Sequence, residues 1–216
     1  MPSEGVVRTG LVLSREPVGE RFLKIALLCA EEGVAVCLLR VVMSKKTPAS
    51  SLPDLFDQAE ARLGASSENG ARFASDYRVL RRAEGLGSDY ARLVPACRLA
   101  GVVARNPVPL GSAAAVYALC VEASRAFAGR PRPDVTLFKA LWQLARGEGF
   151  PVCEHWRRGL ALSRQAEVGS VLRQPLDAQT TPPGTVSFLT RELECWLQTH
   201  CHFILPPKYP AGEDLA

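Results

Sequence analysis

GERFLKIALLCAEEGVAVCLLRVVM, residues 19–43, decides the fold. In its first half Leu23, Ile25 and Leu27 fall on one face and Phe22, Lys24 and Ala26 on the other, the period of a strand. Gly33 closes that strand, and VAVCLLRVVM follows as another after a short connection, which predicts a β-hairpin. Upstream, VVRTGLVLSREP reads as a strand expected to end at the turn before Pro17. Downstream, beyond a Pro/Ser loop, LFDQAEARL and FASDYRVLRRAE supply candidate fourth and fifth strands, although DLFDQAEARLG also has helical spacing. Five short strands with no helix of βαβ length between them predict a small antiparallel barrel of OB type over residues 1–87.

After residue 87 the period changes. SDYARLVPACRLAGVVARN, SAAAVYALCVEASRAFAG, PDVTLFKALWQLARGEG, SRQAEVGSVLRQP and TVSFLTRELECWLQTHC read as helices. In the third, Leu137, Phe138, Leu141 and Leu144 form one stripe, Asp134 is the expected N-cap, and Gly147 and Gly149 stop it before Pro151. The expected architecture is therefore α+β: a barrel domain, 1–87, followed by an all-helical domain, 88–216.

The 216 residues are long enough to bury a sizeable core. Lys and Arg total 26 against 22 Asp and Glu, for a net +4. The charge is polarised: residues 88–185 carry +5 and residues 186–216 carry −2. Such a mild excess permits a nucleic-acid partner without demanding one, because distribution matters more than the total. Seven cysteines are scattered without a CxxC pair, mostly in apolar runs where a free thiol behaves as a small hydrophobe. A disulfide framework is not expected, which suits a reducing compartment. MPSEGVVRTG lacks signal-peptide form and no apolar run approaches ~18 residues, so a cytoplasmic protein with no membrane partner is expected.

The second strand sets Phe22 beside Lys24 on the outer face of the barrel. A ring beside an ammonium is the pairing that single-stranded nucleic-acid binding uses, stacking from one and phosphate attraction from the other. The same face also suits Phe22 packed under the helical unit. Arg40, Lys45 and Lys46 fall at the exit of the third strand and in the loop after it. A basic loop on a barrel rim grips phosphates without reading sequence, and lysine at a strand end also keeps an edge soluble.

The order of these features resembles the RecO family of bacterial recombination mediators and DNA-repair proteins, over nearly the whole chain. TGLVLSREPVGERFLKIALLCAEEG is similar to the family's opening hairpin, LLRVVMSKK to its basic segment after the third strand, and DYRVLRRAE to the strand that closes its barrel. VTLFKALWQLARGEGFPV is similar to the central helix of its second domain and RELECWLQTHC to its last long helix. The resemblance implies an OB-fold followed by a helical domain, and binding and annealing of single-stranded DNA. It further implies assistance in loading a RecA-type recombinase onto DNA covered by single-strand-binding protein, with RecR as partner and no catalytic residue. Some family members hold zinc on four cysteines in the helical domain; this chain has no such tetrad, so no metal or cofactor is carried over. After the third strand the match keeps only Arg40, Lys45 and Lys46.

Other chemistries have weaker footing. The histidines are His155, His200 and His202. Cys153, Glu154 and His155 cluster after Pro151, and His200, Cys201 and His202 form another group. A Cys–His pair can serve as nucleophile and base or as two zinc ligands. Neighbours on an extended chain point apart, however, and neither cluster has CxxC or HxxxH spacing. No GxxxxGK[ST], GxSxG or GxGxxG occurs, so no enzyme activity and no small-molecule substrate are expected. A protein-interaction adapter of the same fold is a further reading. Arg157 and Arg158, following Trp156, suit an acidic peptide such as the C-terminal tail of single-strand-binding protein, since guanidinium pairs match carboxylates.

Overall fold

The computed structural model describes residues 5–41, 52–66, 70–87 and 89–207. Five strands, β1 (Val6–Val18), β2 (Phe22–Cys29), β3 (Gly33–Arg40), β4 (Gln58–Ser66) and β5 (Arg72–Arg81), close into a barrel in the order β1-β2-β3-β5-β4. All neighbours are antiparallel except β3 and β5, which run parallel. This is the OB topology expected from the alternation in residues 22–27. The segment with mixed strand and helix spacing, around Gln58–Ser66, is a strand because Ala59, Ala61 and Leu63 turn to the barrel interior at period two.

Two adjustments come from β1. The strand does not end before Pro17 but continues through it, with Pro17 opposite Leu23. Its pairing with β4 ends at Leu11 opposite Gln58, so Pro17 sits where one side of the strand is unpaired by β4 and a missing N–H costs little. The register with β2 shifts between Val12 and Ser14, leaving Leu13 as a bulge. Val12 fills the barrel while Leu11 and Leu13 face the other way. Gly10 is needed for that close approach, since a Cβ there would lie 2.4 Å from the Leu28 carbonyl oxygen.

Beyond Leu11, the segment before β4 takes over as partner of β1. Phe56 N donates to the Val12 carbonyl at 2.7 Å and Val12 N to the Asp57 carbonyl at 3.0 Å. Phe56 adopts a left-handed φ of 58° and is buried. The Asp57 carboxylate then accepts from Asp54 N at 2.8 Å, Ala83 N at 2.9 Å and the Arg82 guanidinium at 2.5 Å. One buried carboxylate thereby ties the entry of β4 to the exit of β5.

The helical part contains α1 (Tyr90–Arg105), α2 (Ala113–Gly129), α3 (Pro133–Gly147), α4 (Leu162–Arg173) and α5 (Pro183–His200). Asp89 caps α1 by accepting from Ala91 N at 2.9 Å. Asp134 is not the cap of α3: Pro133 opens that helix, and Asp134 lies in its first turn, where it holds Arg132 through two bonds of 3.0 and 2.8 Å. The acidic group still meets the positive end of the helix, but as a first-turn residue rather than a cap. The expected stripe of Leu137, Phe138, Leu141 and Leu144 is buried, and α3 is the central helix, touching α1, α2, α4 and α5.

The two parts share one apolar cluster. Leu11, Leu13, Ala26 and Leu28 on the outside of the barrel join Leu99, Val103, Phe127, Phe138 and Leu141 of the helices. A separate cluster fills the barrel, including Leu23, Ile25, Leu27 and Leu39. Leu28→Ala removes a fully buried side chain from the shared cluster and should cost about 2–5 kcal/mol. Chemical denaturation should then show barrel and helices unfolding together at lower denaturant; a helical transition left in place would contradict a common core.

Burial pushes the Cys29 thiol up to about 12, with Glu32 and Glu31 adding to the effect, and pushes Cys37 to about 11 and Cys120 to about 12 from an ordinary 9.0. The folded chain thus keeps these thiols neutral at a pH where the unfolded chain ionises them. Their contribution is complete below pH 9 and falls as pH rises from 9 towards 12. Denaturation midpoints should decline from pH 8 to pH 10, and Cys120→Ala should flatten the decline; a flat wild-type profile would refute the assignment.

Candidate nucleic-acid interface

β2 opens with Phe22, whose register partner is Arg40 at the end of β3; two residues on, Lys24 pairs with Leu38. Leu38 in turn lies beside Phe73 across the parallel seam with β5. The alternation that sends Leu23, Ile25 and Leu27 into the barrel therefore sends Phe22 and Lys24 outward. Phe22 does not pack under the helices. It meets Phe73 edge to face, with ring centroids 5.9 Å apart and planes at 69°. Phe73 is 54% exposed, so its ring is not core.

Ala26, the next outward residue of β2, is covered by the helical part, as is Leu28. The outer face of β2 is thus divided: its far half carries the helices, and its near half, around Phe22 and Lys24, is open. A groove of ≈ 580 Å³ lies beside Lys24 and extends toward the β2–β3 turn, lined among others by Val18, Lys24, Glu32, Val36, Leu38 and Arg72. Strands β2 and β3 are also the face on which OB folds take oligonucleotides and oligosaccharides.

Charge on this face is sparing. Lys24 Nζ lies 3.6 Å from Glu16 Oε2 with both side chains about half exposed, so water screens the pair and holds it loosely. Arg72 is engaged by Glu32 at 3.1 Å, and Glu32 also meets Arg8 at 3.2 Å. Arg40 is exposed. Among the described residues it has no carboxylate partner. Lys45 and Lys46 lie outside the described residues. Phe73 is the contributor that sequence reading missed: its strand was identified, but only the β3–β5 seam brings position 73 beside position 22.

The proposed peptide contact is rearranged by the fold. Trp156 is buried, against Phe138 at 6.2 Å and Trp142 at 5.8 Å between ring centroids. It is core and offers no surface beside the two arginines; Arg157 is half-buried and Arg158 exposed. The reason is local: Val152–Arg157 forms one π turn instead of an extended segment, and that turn points Val152 and Trp156 inward together. In the same turn Cys153 packs on the core while Glu154 and His155 face solvent. His200 stacks on Trp196 at 5.7 Å. Among the described residues no three His, Cys, Asp or Glu side chains gather as a metal-binding group, and no helix is long and apolar enough to cross a membrane.

No protein-family model matches the chain, and no curated protein matches it in sequence. The fold itself is an OB barrel joined to a helical unit, with an open aromatic face on the barrel.

The placement of Trp156 is checked by truncation. Trp156→Ala should lower unfolding free energy by about 3–5 kcal/mol, whereas Arg158→Ala should stay within about 0.5 kcal/mol of the parent. Equal, small effects in denaturant titrations would return Trp156 to the surface.

Proposed function

We propose that this chain is a RecO-like DNA-repair and recombination protein, one that binds and anneals single-stranded DNA and assists loading of a RecA-type recombinase. The observation that carries this reading is the Phe22–Phe73 pair on the open half of the barrel, with Phe73 exposed and Phe22 half-buried, flanked by Lys24 and Arg40. Rings accept bases of any identity by stacking, and each stacked base contributes about 1–3 kcal/mol. The cations around them attract the backbone without discriminating sequence. Lys45 and Lys46 extend this positive rim in sequence. No bond is made or broken in this activity; the protein acts in the cytoplasm as a binding surface that holds two strands close enough to pair. A RecR-type protein and the acidic tail of single-strand-binding protein are its expected partners, the tail meeting Arg157 and Arg158 without Trp156.

A second reading has its own support. The groove beside the pair is largely apolar, with Val18, Val36 and Leu38 in its wall, and Lys24 already faces Glu16. Such a face also takes an extended peptide, which would make the chain an adapter with little DNA affinity.

Fluorescence anisotropy with an oligo-dT strand separates the two. If three cations each release one counterion, log affinity against log salt should have a slope of around −2, at about 0.7 per contact. Phe22→Ala and Phe73→Ala should each weaken binding by roughly 5- to 150-fold at constant salt, in line with the stacking energy. Lys45→Ala with Lys46→Ala should reduce the slope by about 1.4. Absence of binding even at low salt would reject the DNA reading in favour of the adapter.

A further inference from the structure

Arg157 and Arg173 bring their guanidinium groups together over Gly169. That glycine is buried on α4, and a Cβ placed on it would lie 3.0 and 3.4 Å from the two terminal nitrogens of Arg173 and 3.2 Å from Nη2 of Arg157. Arg173 folds back one turn along α4, and Arg157 reaches in from the end of the π turn. Both groups therefore rest on one bare patch of helix, and any larger residue at 169 would press into them.

Neither guanidinium has a carboxylate partner among the described residues. Nearby acids are engaged elsewhere or turned away: Glu167 pairs with Arg164 at 2.7 Å and Asp177 with Arg130 at 2.7 Å, while Glu154 is exposed and makes no ion pair among the described residues. Other arginines also lack an ion pair among the described residues, Arg146 and Arg191 for instance, but Arg157 and Arg173 are the two brought together over Gly169. Two uncompensated cations at one point repel, and they stay favourable together when an anion is shared between them. Guanidinium forks match the oxygens of a tetrahedral phosphate through paired N–H donors. A charge near +2 suits a phosphate monoester, which carries about −1.5 to −2 at neutral pH, better than a singly charged carboxylate.

We propose that Arg157 and Arg173, seated over Gly169, form a binding site for the dianion of a phosphate monoester. The site is separate from the barrel face: α4 packs on α3, whereas α1 and α2 carry the barrel. It stands whether or not the barrel binds DNA.

The test is thermal unfolding of the full chain in inorganic phosphate and in acetate at equal ionic strength. A saturable rise in Tm with phosphate, absent with acetate, is expected for the wild type and for Arg158→Gln. Arg157→Gln and Arg173→Gln should each weaken the apparent phosphate affinity at least tenfold. Removing either cation relieves repulsion, so both glutamine variants should fold at least as stably as the parent in phosphate-free buffer. An equal phosphate response in the wild type and the Arg157→Gln/Arg173→Gln double variant overturns the proposal, as does an equal response to acetate. An oligonucleotide with a 5′-phosphate competing better than its 5′-hydroxyl counterpart identifies a strand end as the source of the phosphate; parity identifies a free phosphate.

Discussion

The carboxylate of Asp57 is the joint on which the two halves of the molecule depend. It is buried, and it gathers a main-chain N–H from its own turn, another from the chain just past β5, and the Arg82 guanidinium. Hydrogen bonds to a charged group are worth about 1.5–3 kcal/mol each, and leaving such donors unmatched in the interior costs more than the bond itself. The flanking backbone extends the effect, because residues 56 and 57 pair with Val12 where β4 has parted from β1. Phe56, held there in a left-handed conformation, contributes its ring to the cluster shared with the helices. The carboxylate thus ties the entry of β4 to the end of β5, and the backbone of residues 56 and 57 ties that same turn to β1.

What could be read from the sequence was whatever had a period. Leu23, Ile25 and Leu27 alternate strictly, and the barrel follows from them; Leu137, Phe138, Leu141 and Leu144 recur at helical spacing, and the central helix follows likewise. Features without a period were hidden. Asp134 has the chemistry of a cap, yet Pro133 claims the first helical position and Arg132, in an αL conformation, claims the carboxylate. Trp156 stands in a segment too short to reveal a π turn, so its inward direction had no signature. Phe73 joins Phe22 only through a parallel pairing between strands 35 residues apart in register, a relation that neither strand carries alone. The uncertain fourth strand illustrates a different limit: its local spacing suited both states, and pairing with β1 and β5 decided between them.

Charge shows the same division between composition and arrangement. The middle of the chain holds the positive excess, and several of its arginines are engaged within the fold, as is Arg98, which grips Glu194 through two bonds of 2.7 and 2.9 Å in a buried pair. Arg92, Arg125, Arg130, Arg132 and Arg164 also meet acids. The net figure already subtracts these acids, so the remaining excess resides on the arginines that make no ion pair. Cations such as Arg40, Arg157 and Arg173 lack an acidic partner among the described residues, as do Arg146, Arg158 and Arg191, and their positions carry more meaning than their number.

The seam between β3 and β5 has a consequence for how the barrel responds to load. Only three register pairs join these strands among the described residues: Cys37 with Arg72, Leu38 with Phe73 and Leu39 with Ala74. Every other junction of the barrel is longer. The shortest seam in the wall therefore runs between Leu38 and the exposed ring of Phe73, with the half-buried ring of Phe22 one strand away. A molecule lying across Phe22 and Phe73 touches both sides of that seam and acts as a clasp, so occupancy of the face and integrity of the wall are one mechanical property. Amide protons along this seam are accordingly the natural reporters of how firmly the wall is closed.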